Sequence, residues 1–576
     1  MRQARPRKWL RPVLKPLRPA FREVLAMSLF VNLLALAAPV FVLQVYDRVV
    51  FFAGLTTLQG LVIGMAIALL FDFVLRQARS RMLQRVALRI DVEVGRKLFD
   101  KLFALPLRAL ESKPSAYWQA LFRDIEVVRN VFSGASAILL TDLPFALVFV
   151  SFIFVIALPI AWLLIIVLPL FLLLAWRSAA VLGAASAEER NAGFARDALV
   201  AEMIAGRATA KALALGDSLR PAWEDRHAET IERALTRGGR ADSYVNLGTM
   251  LTVFTTVLLT SVGALAIIDQ RLSIGALIAT NMLAGRIISP FQQLVSMWRN
   301  YATARQAIAR LGEMFAADED RRDSEIELDR PQGDLRLENV SFRYAEDAAP
   351  VIEGVKLHIK PGGLHAVVGP NGSGKTTLLK LINGLYPPTT GRALLDGADI
   401  AQFTRKELAR WIGYAPQEAF LFAGSIRDNI AKGRPEATDQ EIMTAAAAAG
   451  LHQHVIDLPD GYATEVGEAG MRLSGGLRQR IVIARALIGR PPILLLDEPS
   501  ANLDRQAEEA LAKTLSTLAR DHTIIVVSHS PVLLSVCNNV LALDKGKVVM
   551  AGPADEVLLR LFPGRVLKPV REGGQA

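Results

Sequence analysis

The chain has 576 residues, is 52% hydrophobic and has a mean hydropathy of +0.31, more apolar than soluble domains usually are, so membrane insertion is the first expectation. Its lone cysteine, Cys537, excludes an internal disulfide scaffold and a cysteine zinc cluster, and reads as a small core residue. The net charge of +10 admits nucleic acid as a partner only if the basic residues cluster away from membrane borders.

Residues 24–46 contain no charge over 23 positions, enough for a helix to cross about 30 Å of hydrocarbon. Residues 55–71 are also uncharged and follow a break containing Asp47, Arg48 and Gly54, which predicts an outer hairpin. Asp142 is the one charge in residues 131–176, a stretch that suits two spans turning at Leu158 and Pro159. Residues 243–268 give a fifth span, and a weaker apolar run from Leu272, interrupted by Arg286 and Pro290, gives the sixth. Asp142 reads either as a functional intramembrane carboxylate or as an ordinary acid near an interface.

Lys and Arg number eight in the tail up to Arg22, twelve in residues 76–130 and ten in residues 177–242, against one, none and one in the opposite loops. This asymmetry predicts that the tail and both long loops are cytoplasmic, and it accounts for the basic charge with no nucleic acid. The first span exceeds the usual 7–15-residue core of a signal peptide, so it is expected to remain uncleaved. Both long loops are amphipathic and poor in Gly and Pro, and are expected to continue the helices out of the bilayer. An arm of about 25 residues would project about 37 Å. Residues 112–118, where Pro114 interrupts the pattern, and residues 206–216, bounded by glycines, are either docking tips or simple turns.

The expected organisation is therefore a basic tail over 1–23, a membrane domain over 24–315, a charged linker over 316–332, an alternating α/β domain over 333–562 and a polar tail over 563–576. In the α/β domain a strand-like run at 364–368 leads into Gly369, Pro370, Asn371, Gly372, Ser373, Gly374, Lys375, Thr376 and Thr377, which open a helical segment. Glycines let backbone N–H groups curl around phosphates at a helix N-terminus, Lys375 can reach the β and γ phosphates of ATP, and Thr376 can hold Mg²⁺. The apolar run 493–496 ends in Asp497 and Glu498, as a buried parallel strand would at a phosphate crevice. There Asp497 would hold the Mg²⁺ water shell and Glu498 would orient and deprotonate the attacking water.

Between these motifs lie Leu473, Ser474, Gly475 and Gly476, followed by Leu477 and a helical run. With them the domain resembles the ABC ATPases, α/β P-loop NTPases, and the whole chain resembles a type I ABC exporter with six transmembrane helices fused to one such motor. The resemblance implies that Tyr344 stacks on adenine, that Gln417 links Mg²⁺ and the attacking water to the membrane domain, and that His529 contacts the γ-phosphate. It places Ser500 and Asp504 in the loop that lies across a dimer seam, and implies a homodimer in which the signature of one motor closes over ATP held by the other. Leu477 departs from the pattern, where Gln is usual; the change removes an amide donor and acceptor and predicts a motor that turns over, though slowly.

Residues 421–430 (LFAGSIRDNI) and 464–468 (TEVGE) resemble the exporter branch. Residues 43–49 (LQVYDRV), 71–73 (FDF), 123–126 (RDIE) and 141–144 (TDLP) resemble the permease/ATPases of type I secretion, the transporters of haemolysins, RTX proteins and proteases. That family implies a multi-pass inner-membrane protein, a polypeptide cargo, a membrane fusion protein and an outer-membrane channel. The 23 residues ahead of the first span leave no room for the peptidase-like domain that some relatives carry. Two rival expectations are an exporter of lipids, drugs or small peptides, and a non-transport ABC ATPase, against which the six spans speak.

Overall fold

The computed structural model describes residues 9–320 and 329–561; the first eight residues, part of the expected linker and the expected tail over 563–576 lie outside the described residues. The chain forms two compact units, Met1–Phe103 with Lys113–Ala317, and Ala104–Ser112 with Asp318–Ala576.

Among the described residues of the first unit six helical segments are long and apolar enough to cross a membrane: Leu10–Val50, Leu55–Ala104, Ser136–Ile156, Leu158–Ala205, Gly216–Ile268 and Ile274–Leu294. The second is one 50-residue helix, about 75 Å long at 1.5 Å per residue, so the span and its arm are continuous. The first is not a single rod. It runs as Arg18–Leu34 and Ala37–Gln44 and ends in a π-helical turn, Val45–Val50. Pro39 falls in the first turn of the second piece, where its missing N–H is tolerated but the preceding helix cannot pass through unbroken. Residues 10–23 of the expected basic tail are helical: Val13 and Leu17 are buried, and Trp9 Nε1 donates to Ile308 O at 3.1 Å. The core gathers Phe149, Ile160, Leu164, Phe171, Leu259, Leu283 and Ile287 from the last four spans.

Two carboxylates tie these helices together. Asp142 accepts from Arg79 Nη1 at 2.6 Å and from Asn32 Nδ2 at 3.2 Å, and Arg79, 2% exposed, also donates to Ser28 Oγ at 2.9 Å. Asp142 is thus a paired acid joining three helices. Asp47, at the end of the first span, accepts from Ser273 Oγ at 2.6 Å and from the Gly275 N–H at 3.0 Å, capping the Ile274–Ala316 helix. A Cβ on Gly275 would lie 2.6 Å from Asp47 Oδ1 and 2.7 Å from Leu43 O, so the approach requires glycine.

The second unit contains two sheets. A six-stranded sheet has the order β10-β9-β3-β8-β7-β6, formed by Leu364–Val368 (β3), Ile412–Ala415 (β6), Ile493–Asp497 (β7), Thr523–Val527 (β8), Asn539–Asp544 (β9) and Lys547–Pro553 (β10). All its pairings are parallel except that of β9 with β10. Successive residues of β7 and β8 go to opposite cores: Leu494, Leu496, Ile524 and Val526 to one, Ile493, Leu495, Ile525 and Val527 to the other. Period-two alternation with both faces covered explains the unbroken apolar runs. An antiparallel sheet of order β2-β1-β4-β5, formed by Leu335–Phe342 (β1), Ile352–Ile359 (β2), Thr390–Leu395 (β4) and Ala398–Asp399 (β5), was not foreseen; its strands show mixed burial patterns, which blur their alternation in sequence.

Residues 112–118, expected to be either a docking tip or a simple turn, hold a turn at 112–114 and the start of a helix. Leu105 and Pro106 break the long arm, and a short helix, Leu107–Glu111, belongs to the second unit, while Ser115–Val131 already forms the returning arm. The stretch between Gly206 and Gly216 is a short helix, Arg207–Ala212, joining two long arms.

Candidate active site

β3 ends where the phosphate loop begins. Gly369 has φ +155°, and a Cβ there would meet Leu543 O at 2.1 Å; Gly374, at φ +100°, leads into the Lys375–Ile382 helix. The loop therefore curls tightly against β9 and presents a helix N-terminus. Lys375 Nζ donates to the carbonyls of Gly369 and Pro370 at 2.9 and 3.0 Å, which holds the ammonium across the loop's mouth. Burial lowers its pKa, and nearby Glu498 and Asp497 oppose that shift.

A cavity of about 490 Å³ brings together Asn371, Gly372, Gly374, Lys375, Thr376, Thr377, Gln417, Glu498 and His529. β7 ends in Asp497, next in the chain to the cavity-lining Glu498; it is 1% exposed, and neither carboxylate oxygen has a hydrogen-bond partner among the described residues. Burial raises its pKa, and the adjoining Thr376 hydroxyl offsets part of the rise. A buried carboxylate with open oxygens beside the Thr376 hydroxyl, which shares its cavity with Gln417, is a donor set that fits Mg²⁺. Glu498 adopts φ +47°, uncommon for a side chain larger than glycine's, and its N–H is held by Val527 O at 2.9 Å. Its Oε1 lies 4.0 Å from His529 Nε2, with both side chains reachable from solvent.

Tyr344 stands beside the loop, its hydroxyl 2.9 Å from Thr377 Oγ1 and its ring edge-on to Phe342 and Tyr386. Pro370 and Ser373 shape the loop without lining the cavity. Leu473, Ser474, Gly475 and Gly476 do not line it either. Ser474 caps the Gly475–Leu487 helix by accepting from the Leu477 N–H at 3.3 Å, and Leu477 packs against the core. Asp504 caps the Arg505–Leu518 helix, and the segment from Ser500 to Asp504 packs on the signature through Asn502, 3.4 Å from a Cβ on Gly475. The catalytic and signature groups thus occupy separate places in one chain.

Three features escaped the sequence reading. Glu111, on the short tip helix, accepts from the Tyr386 hydroxyl and from Lys380 Nζ at 3.2 Å, and burial first, then Glu111, raises the Tyr386 pKa. Lys380 lies on the helix that begins with Lys375. Asn429, fully buried, binds the Phe422 backbone through both N–H and C=O at 2.9 and 2.8 Å and accepts from Arg485 at 2.9 Å. The two exporter-like strings are also one piece of structure: the Ile426 N–H donates to Thr464 O, and the Val466 N–H donates to Gly424 O, both at 3.0 Å. Only the Asn429 position carried a signal, a polar residue inside an otherwise apolar helical face.

A phosphate loop, an acid-ended strand and a capped signature helix, joined to six apolar spans, define an ABC transporter with membrane and ATPase domains in one chain, and the chain belongs to that family. Its residues 352–501 match the ABC transporter profile and residues 22–291 the ABC transporter transmembrane region. It is 32% identical to the cyclolysin secretion/processing ATP-binding protein CyaB of Bordetella pertussis (strain Tohama I), over 96% of this chain and 77% of that protein. It is 32% identical to the alpha-hemolysin translocation ATP-binding protein HlyB of Escherichia coli O157:H7, over 96% of this chain and 78% of that one. A solved bacterial Atm1-family ABC exporter with ATP bound shares the fold, with a TM-score of 0.83 at 23% identity over 95% of this chain and 98% of that one. The protein is a multi-pass membrane ATPase that couples hydrolysis to transport.

Proposed function

We propose that the chain is half of a homodimeric type I secretion exporter that hydrolyses ATP to move a polypeptide out of the cytoplasm across the inner membrane. The observation that carries this reading is identity of 30–32% over 96% of the chain to proteins named for the secretion or translocation of toxins and haemolysins. The charge asymmetry supports a cytoplasmic N-terminus and ATPase domain. A membrane fusion protein and an outer-membrane channel complete the route. The separation of signature from cavity supports a dimer, because Ser474 and Gly476 do not line the cavity of their own chain and would meet a γ-phosphate held by a second copy.

In this reading Tyr344 stacks on adenine, the loop N–H groups and Lys375 bind the phosphates, and Glu498 orients and deprotonates the attacking water while His529 steadies the γ-phosphate. Thr376, Asp497 and Gln417 would hold Mg²⁺, which when bound neutralises charge on the β- and γ-phosphate oxygens. ATP favours the closed pair of motors, and its hydrolysis releases them. Deleting the gene and comparing secreted polypeptides tests the cargo: one or more should disappear from the medium. An unchanged set of secreted polypeptides, with ATPase activity stimulated by small amphiphiles, would instead identify an exporter of lipids or drugs.

A further inference from the structure

A second cavity, of about 670 Å³, lies within the membrane unit among the charged extensions of its helices. Its wall includes Ser186, Arg190 and Gly193, which follow one another at i, i+4 and i+7 on the Leu158–Ala205 helix and so share one face. Two lining acids already have partners: Glu189 accepts from Arg237 Nε at 2.5 Å, and Asp197 from Arg196 Nη2 at 2.7 Å. Arg190 has none of this kind. Its Nη1 makes one long contact, 3.4 Å, to Thr303 Oγ1, and its buried Nη2 has no hydrogen-bond partner among the described residues. Ser186, 1% exposed, also has a buried hydroxyl without a partner. Buried polar atoms are nearly always satisfied, so two open donors one turn apart on a cavity wall point to an acceptor that enters it.

We infer that this cavity is a binding site for a carboxylate of the transported polypeptide, held by the Arg190 guanidinium and the Ser186 hydroxyl. The planar fork of arginine matches the two oxygens of a carboxylate. Among the described residues Arg190 is the lining cation with no hydrogen-bonded carboxylate, since Arg196 is held by Asp197, and one such cation with a neutral hydroxyl suits a monoanion. The volume falls in the range of sites that enclose small ligands. Gly193 leaves the space open, since a Cβ there meets nothing within 4 Å. That the carboxylate belongs to a polypeptide rests on the secretion reading; the anion site itself rests on the cavity.

The test uses the full-length protein in detergent and three fluorescent ten-residue peptides of Gly and Ser. One has three internal glutamates and an amidated C-terminus, the second has glutamines and a free C-terminal carboxylate, and the third has glutamines and an amidated C-terminus. One of the first two should bind about tenfold more tightly than the third, the size expected of a charge-assisted pair, which also distinguishes a side-chain from a terminal carboxylate. Arg190→Gln should abolish that preference, Arg190→Lys should retain part of it, and Gly193→Leu should block binding by filling the space, with basal ATPase unchanged in all three variants. Equal binding of the three peptides, a preference that survives Arg190→Gln, or competition by inorganic phosphate as strong as by acetate would overturn the site. So would loss of the oligomer in Arg190→Gln, because the arginine would then serve assembly. Arg190-dependent binding with an unchanged secretome keeps the site and removes the secretion reading; secretion with no peptide preference does the reverse.

Discussion

Asp497 and Glu498 are adjacent in the chain but differ in burial and backbone: one ends a strand inside the protein, while the other turns through a left-handed conformation toward the cavity. Glu498→Gln should keep ATP bound while phosphate release falls at least about a hundredfold, as expected when a general base is lost; trapped nucleotide and phosphate release, measured together, check both halves. Lys375→Ala should weaken nucleotide binding in a filter assay. Leu477 packs on the core, so Leu477→Gln exchanges apolar contact for an amide beside the capped helix start. We expect turnover to be unchanged or faster, and a large fall in ATPase rate would give the leucine a specific role. Asn429 is the opposite case, since its amide closes a loop by hydrogen bonds from inside the core. Asn429→Ala should cost about 2 kcal/mol, the penalty for orphaned buried groups, readable in thermal unfolding.

At the scale of helices and strands, the short strings that made the chain look like a secretion transporter each contribute an acid with a definite partner. Asp47 caps the last membrane helix, Asp72 pairs with Arg76, Asp124 grips Arg310 through two oxygens, and Asp142 joins Arg79. The pattern was visible in sequence; the partners were not, because Asp124 and Arg310 lie 186 residues apart. This pair, with Arg79 buried and Asp142 partly open, gives a sharp expectation. Arg79→Met should destabilise the protein by about 3 kcal/mol or more by stranding Asp142, whereas Arg79→Met with Asp142→Leu should recover much of that loss. Fluorescence-detected gel filtration after heating would rank the two. The tip helix shows where local reading fails: Pro114 was a visible break, but the helix placed against Tyr386 and Lys380 is bracketed by Pro106 as well, and its docking depends on contacts that no local pattern encodes.

Across the whole chain, the spans and motor were legible because hydropathy and glycine spacing are one-dimensional signals. The antiparallel sheet and the helical start over residues 10–23 were less so, since both depend on surfaces supplied from elsewhere. Two buried groups report on the integrity of the motor unit. Burial lowers the pKa of His365 on β3, so the unfolded chain takes up a proton first as pH falls below about 6.5, and stability present above that value should be lost toward the lower folded pKa. His365→Gln should flatten this slope in thermal melts between pH 7.5 and 5.5. Burial pushes the Cys537 thiol up to about 12, so maleimide labelling at pH 8 should be slow in the native protein and fast after denaturation.

Glu111 and Leu107 arrive from a distant part of the sequence, yet they complete the surface of the motor unit, Leu107 against its core and Glu111 on Tyr386 and Lys380. A soluble fragment cut at the linker would therefore leave behind a piece of its own fold. It would expose an apolar seat and a lysine stripped of its carboxylate, inviting self-association. Grafting residues 104–112 ahead of such a fragment through a flexible spacer, rather than trimming its ends further, is the repair that the anatomy of this unit recommends.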